Sequence, residues 1–130
     1  MEFKGICIIS NNVPRLVDFY SKVLCVKAEG DDVHSVLGEV NLAIWNPNAM
    51  EPNAIWNAYD IDENKFKTSE RFFTLMFEVG NVDNEYERLK HLDKQIEFIY
   101  QPTTHPWGNR AFGFKDPDGN NIDFFSPIKK

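Results

Sequence analysis

Asp123 is the residue on which any chemistry in this chain would turn. It lies in the run Asn121 to Ser126, where Ile122 and Phe124 alternate with Asp123 and Phe125. Strand side chains point to opposite faces in turn, so an acid among aromatics marks either a solvated outer face or a site on an inner one. Glu78 is a possible acid–base companion, although nothing in the sequence brings the two together and an edge or outer face suits Glu78 better. Of the three histidines, His91 falls on a helix as a solvated residue. His105 falls in the surface loop Thr103-Thr104-His105-Pro106. His34 lies in a short strand and is the one that could face inward. A lone strand histidine is more often a packing or surface residue than a ligand, and a His34/Asp123 pair alone would be short of donors for a divalent metal. Cys7 and Cys25 sit in apolar segments and read as two buried free thiols, too shielded for a nucleophile and not a disulfide framework. The chain has no glycine-rich phosphate loop and no Gly-x-Ser-x-Gly.

The elements that must position Asp123 follow from local pattern. Asp116-Pro117-Asp118-Gly119-Asn120 is a turn signal, with Pro117 pre-setting one angle and Gly119 free to take positive φ. Flanked by residues 109–115 and 121–126, it predicts a β-hairpin. On the first of these strands Ala111 and Gly113 share one face, and Arg110, Phe112 and Phe114 the other. Upstream, residues 3–10 are β-prone. Asn12 can cap a helix from Val13, with Pro14 in its first turn and Leu16, Phe19, Tyr20, Val23 and Leu24 on one face. Short strands are predicted over 26–30, 33–37 and 40–46. The pattern restarts with a strand over 72–79 and a helix capped by Asn81, whose buried stripe is Val82, Tyr86, Leu89 and Leu92. A strand over 96–101 leads to the hairpin.

Residues 46–71 break this regularity. The stretch is Pro- and Asn-rich at its start yet carries Ile55, Trp56, Tyr59 and Phe66. It reads equally as a lid over a ligand or as a loop that packs its own aromatics or pads an interface.

Laying residue 81 on residue 12 superimposes the two Asn caps, and Ile6 to Ile8 then match Leu75 to Phe77. The order strand, helix, three strands occurs twice, an internal duplication of a βαβββ unit. Each half is too small to be secure alone, so an α+β fold of two modules (1–46 and 72–130, joined by 47–71) is expected, paired into an open, curved mixed sheet with helices outside and a cavity within.

Composition narrows the partners. With 14 basic against 20 acidic side chains, a net charge of −6 gives no cationic surface for nucleic acid. It permits a cationic ligand but is also ordinary for a soluble protein. No apolar run approaches ~18 residues and no secretory h-region follows Met1, so the expectation is a cytoplasmic protein without a membrane span. Eleven phenylalanines, four tyrosines and three tryptophans exceed what a small core demands and suggest that some line a pocket.

Four segments stand out together: Asn12 with Asp18-Phe19-Tyr20-Ser21-Lys22-Val23-Leu24; Phe77-Glu78-Val79; Trp107-Gly108-Asn109-Arg110; and Phe114-Lys115-Asp116-Pro117-Asp118-Gly119-Asn120. They resemble the vicinal oxygen chelate superfamily, which includes glyoxalase I, the extradiol dioxygenases, fosfomycin-modifying enzymes and the bleomycin-resistance binding proteins. The resemblance spans nearly all of the chain outside 46–71. It implies the glyoxalase/bleomycin resistance fold and a homodimer. Metal-dependent members carry ligands on the first and last strands of each module. Here those positions are Gly5, Thr74, Asp123 and a residue within 41–45, where neither carboxylate nor imidazole occurs. One carboxylate among four positions does not hold a metal.

Two functions follow. The first resembles the bleomycin-resistance branch: a binding protein without metal or cofactor that sequesters a small, cationic, ring-bearing molecule such as an antibiotic. Its candidate ligand-binding residues are Trp45, Trp56, Tyr59, Phe66, Trp107, Arg110, Phe112 and Asp123. Arg110 would meet a ligand carboxylate or, equally, pair with an acid such as Asp123. The alternative is a metal-dependent lyase, isomerase or dioxygenase of the same superfamily, against which Gly5 and Thr74 weigh.

Overall fold

Two asparagines start the two helices. The side chain of Asn12 accepts a hydrogen bond from the Arg15 amide at 3.2 Å, and that of Asn81 from the Asn84 amide at 2.9 Å. Each satisfies an amide that the first helical turn leaves without a partner. The computed structural model describes residues 1–49 and 73–128, and the chain divides into two compact units, Met1–Ser69 and Glu70–Lys130. In the first unit β1 (Ile6–Ile9) leads to α1 (Val13–Leu24), then β2 (Glu29–Gly30), β3 (His34–Leu37) and β4 (Leu42–Trp45). In the second, β5 (Thr74–Glu78) leads to α2 (Val82–Leu92), then β6 (Phe98–Thr104), β7 (Asn109–Lys115) and β8 (Asn121–Pro127).

The two sheets have one topology. Strand order is β1-β4-β3-β2 in the first and β5-β8-β7-β6 in the second, and in each the first strand lies parallel to the last while the other neighbours are antiparallel. The registers repeat as well: Ile6 pairs with Leu42 as Leu75 pairs with Ile122. This is the duplicated βαβββ unit and the α+β architecture of the glyoxalase/bleomycin resistance fold. Each helix packs on one face of its own sheet, α1 on β3 and β4, α2 on β6, β7 and β8.

Burial follows from the two periodicities. Val13, Leu16, Phe19, Tyr20 and Val23 of α1 are buried, together with Ile8, Leu37, Leu42 and Ile44 of its sheet. In the second unit the helix-facing layer is aromatic. Phe112, Phe114 and Phe124 are fully buried, and their rings meet one another, Tyr86, Phe98 and Phe77 at centroid distances from 5.1 to 6.4 Å. Burial of each such ring contributes about 2–3 kcal/mol, before the edge-to-face geometry adds its smaller share.

Some expectations need correction. Leu92 is exposed, because the buried stripe of α2 runs out at its last turn. Cys7 and Cys25 are free but exposed. Cys7 alternates with buried Ile8 and so points away from the helix, and Cys25 ends α1 in the left-handed conformation (φ 56°). The fourth strand of the first unit, β4, begins later than expected, after a 3-10 turn at Gly38–Val40. No helix among the described residues is long and apolar enough to cross a membrane.

The turn that joins β7 to β8 is held by one side chain. Asp116 Oδ1 accepts from the amides of Asp118 (2.8 Å) and Asn120 (2.9 Å), and Oδ2 accepts from Asn120 Nδ2 (2.8 Å). Gly119 completes the turn at φ 90°, which glycine adopts without steric cost. Asp116, Asp118 and Asn120 are all buried. Asp116→Ala strips three buried donors of their acceptor and should destabilise the protein by about 3 kcal/mol or more, read as a lowered urea midpoint. Asp116→Asn, which keeps one acceptor oxygen, should cost less.

Candidate functional site

Strand β8 lies between β5 and β7, and its register decides what surrounds Asp123. Asp123 pairs with Met76 on one side and with Gly113 on the other. Ile122 and Phe124 turn toward α2 with Phe112 and Phe114, so Asp123 and Phe125 share the opposite face with Ala111 and Gly113. Asp123 is thus a half-buried acid on the face of the sheet away from its helix.

A bulge brings a tyrosine to it. Along β6 the pairing shifts between Phe98, opposite Phe114, and Tyr100, opposite Gly113. The extra residue moves Tyr100 to the face that Phe98 does not share. Its ring then crosses β7 directly over Gly113. A Cβ at Gly113 would stand 2.7 Å from Tyr100 Cε1 and 3.0 Å from Asp123 Oδ1, closer than carbon and its neighbours tolerate. The glycine is a notch that lets the phenol reach across the strand, where its hydroxyl donates to Asp123 Oδ2 at 3.4 Å.

Three further side chains complete the cluster. The hydroxyl of Thr74, on β5, is near enough to Asp123 to favour its charged form. His105 meets the Tyr100 ring edge-on at 5.8 Å, and Trp107 stacks on His105 at 4.4 Å with the planes 8° apart. His105 to Gly108 form the turn between β6 and β7, closed by the Gly108 amide donating to the His105 carbonyl at 3.2 Å. Gly108 takes φ 103°, which an L side chain would resist. This turn holds Trp107 out, 72% exposed, with one ring face against His105.

Burial pushes the Asp123 carboxyl above the usual aspartate range, opposed by the Thr74 and Tyr100 hydroxyls and the nearby charge of His105. Tyr100 is pushed up to about 12 by burial first, and then by the Asp123 charge and their hydrogen bond. The phenol therefore stays protonated at neutral pH and acts as donor, with Asp123 as acceptor. Among the described residues no lysine or arginine pairs with Asp123; its partners are hydroxyls.

The other predicted site residues are dispersed. Phe112 is fully buried in the layer under α2, on the opposite face of β7 from Gly113, so it is a core residue and not a pocket wall. Arg110 shares that helix-side face. Its Nε and Nη2 donate to Asp83 Oδ2 and Oδ1 (2.9 Å each) in the first turn of α2, and its Nη1 donates to Thr104 Oγ1 at 2.9 Å. It pairs with an acid, but with Asp83 and not Asp123. Trp45 stands in the first unit, cross-strand from His34, on the face of β4 away from α1. Glu78 lies exposed on β5, the edge strand of its sheet, opposite Phe125 and so on the same face as Asp123, without a hydrogen bond to it. Trp56, Tyr59 and Phe66 fall outside the described residues, as does most of the segment expected to form a lid or interface pad.

The matching registers also identify the fourth ligand position. Ala43 lies opposite Cys7 as Asp123 lies opposite Met76, so Ala43 is the counterpart of Asp123. Gly5 is closed as well as bare: at φ 135° its Cβ would stand 2.1 Å from the Asn41 carbonyl oxygen. Thr74 and Asp123 are left as the only side chains with oxygen donors at these four positions. No group of three or more His, Cys, Asp or Glu side chains able to hold a metal occurs among the described residues. The donor set does not fit the metal of the superfamily's enzymes.

A model of the glyoxalase-like domain matches residues 3–129. The chain belongs to this family. Similar solved structures include a glyoxalase/bleomycin resistance protein/dioxygenase from Nocardioides, with 21% identity, TM-score 0.70 and coverage of 99% of this chain and 85% of that one. A member of the same superfamily from Sphaerobacter thermophilus is 20% identical at TM-score 0.64 and covers 97% of each chain. A glyoxalase-related enzyme from Fulvimarina pelagi is 16% identical at TM-score 0.71, covering 96% and 87%. These likenesses concern the fold. No curated protein matches the glyoxalase-like chain significantly.

Tyr100, His105 and Gly113 were not singled out as site residues from sequence, because only the cross-strand register gathers them. Their arrangement makes a sign-definite prediction. A carboxyl whose folded pKa is raised contributes stability below its unfolded value, about 3.9, and loses it as pH rises through the folded value. Asp123→Asn should therefore gain in melting temperature relative to the native protein as pH rises above ~4. A difference that stays flat with pH would show that Asp123 is not desolvated.

Proposed function

We propose that this glyoxalase-like domain binds a small organic molecule carrying a cationic or hydrogen-bond-donating group beside a flat ring, and does so without a metal. The observation that supports this reading is the Asp123 cluster. A half-buried carboxylate accepts a hydrogen bond from the Tyr100 hydroxyl and has no lysine or arginine partner among the described residues. It is joined through Tyr100 and His105 to an exposed indole. A half-buried acid with no lysine or arginine partner is a place where a ligand cation is favoured, and an exposed stacked indole offers a face for a ring. Sequestration of such a molecule, as by the bleomycin-resistance branch that the sequence resembles, is the biological role in keeping with this site.

The alternative is a metal-dependent lyase, isomerase or dioxygenase, and no feature of the donor set favours it. Protein purified without a metal-affinity tag or chelator should contain far less than one Zn, Ni, Fe or Mn per chain by elemental analysis. Stoichiometric metal would sink the proposal.

Binding itself is tested by thermal shift and tryptophan fluorescence against bleomycin-type, mitomycin-type and related cationic ring compounds. For a compound that binds, Asp123→Asn should weaken affinity roughly tenfold or more, the scale of a hydrogen bond to a charged group. Trp107→Ala should weaken it about fivefold, one stacking contact. Failure of every such compound to bind, or to be neutralised in cells expressing the protein, would defeat the reading.

A further inference from the structure

The notch at Gly113 has a consequence for which cations the site can take; this rests on the ligand-binding reading above. A guanidinium or amidinium meets a carboxylate best as a fork, two parallel N–H groups on the two oxygens. In this site the oxygens are not equally available. Oδ2 receives the Tyr100 hydroxyl, and Oδ1 lies over the backbone of β7, 3.0 Å from where a Cβ of Gly113 would be. A carboxylate has about four lone-pair positions in all; the phenol takes one on Oδ2, so a fork, which needs a donor on each oxygen, must compete with Tyr100, whereas a single donor needs only a position that the phenol leaves open.

We propose that Tyr100, seated in the notch at Gly113, is the specificity-determining residue of this site, selecting ligands that offer Asp123 a single ammonium donor over those that offer a guanidinium or amidinium fork. Tyr100 acts by occupying and orienting the carboxylate. Gly113 acts by leaving the phenol its seat, since any side chain there would push the ring off β7.

Benzylammonium and benzamidinium test this, because both present one ring and one cationic carbon or nitrogen group of similar size. Each is titrated into 15N-labelled protein and followed by amide shifts around Asp123. The native protein should prefer benzylammonium by about tenfold, one charge-assisted hydrogen bond converted to an affinity ratio. Tyr100→Phe, which keeps the ring and removes the hydroxyl, should bring the ratio near one. Gly113→Ala should do the same by displacing the ring, and if that variant does not give a folded spectrum, Tyr100→Phe alone decides. A ratio unchanged in Tyr100→Phe, with both probes still lost in Asp123→Asn, overturns the role of Tyr100 and leaves the binding reading intact. Absence of binding by either probe, or binding indifferent to Asp123→Asn, removes both.

Discussion

A one-residue slip between β7 and β8 would carry Asp123 into the layer of rings beneath α2, and the Asp116 turn is what forbids it. Side chains alternate with a period of two, so register and facing are one property. A carboxylate driven among Phe112, Phe114 and Phe124 would lack any partner to offset its lost hydration, at a cost of several kcal/mol. The turn that Asp116 closes with three buried hydrogen bonds sets the pairing of Gly113 with Asp123 and of Phe112 with Phe124 at once. Core and site are therefore specified by the same few bonds, which explains why so polar a turn is kept buried.

The duplication shows how one scaffold carries two different surfaces. Both units repeat the same strand order and the same parallel register, yet the faces away from the helices have diverged. Cys7, Ala43 and Trp45 occupy in the first unit what Met76, Asp123 and Phe125 occupy in the second. Among these six residues only Asp123 is an acid. Gly5 sharpens the contrast, because its backbone lies against Asn41 so closely that no side chain fits. The loss of a donor at this position is built into the path of the chain. Restoring a histidine there would need the backbone to move, not merely a substitution.

Local order was legible in the sequence, and long-range pairing was not. The Asn12 and Asn81 caps, the Asp116–Asn120 turn and the repeat of elements all follow from neighbours a few residues apart, where steric and hydrogen-bonding preferences act directly. The facing of Phe112 could also be read, since it alternates with Gly113. Its assignment as a pocket wall failed because the sequence does not say which face of the sheet the helix covers. Arg110 found its acid in Asp83, 27 residues away on a different element, and nothing in spacing announces such a partner. Tyr100 was hidden by the shifted pairing in β6: counted by strict alternation it belongs with Phe98 in the core, and only the bulge turns it toward Asp123.

Aromatic content, finally, is a weaker guide to a binding site than the company each ring keeps. Phe77, Phe98, Phe112, Phe114 and Phe124 contact one another or Tyr86 and serve to bury the face of the sheet that α2 covers. Their number raises the count without bearing on ligands. The rings that differ are Tyr100, His105 and Trp107, which are tied in sequence of contact to a carboxylate and end in an exposed indole. Packing alone would drive Trp107 toward cover, because an exposed indole forfeits 2 kcal/mol or so of burial. The Gly108 turn and the His105 stack hold it at the surface nonetheless. A side chain kept in a costly position by local geometry, and linked through His105 and Tyr100 to a half-buried acid, is not explained by the packing of the core.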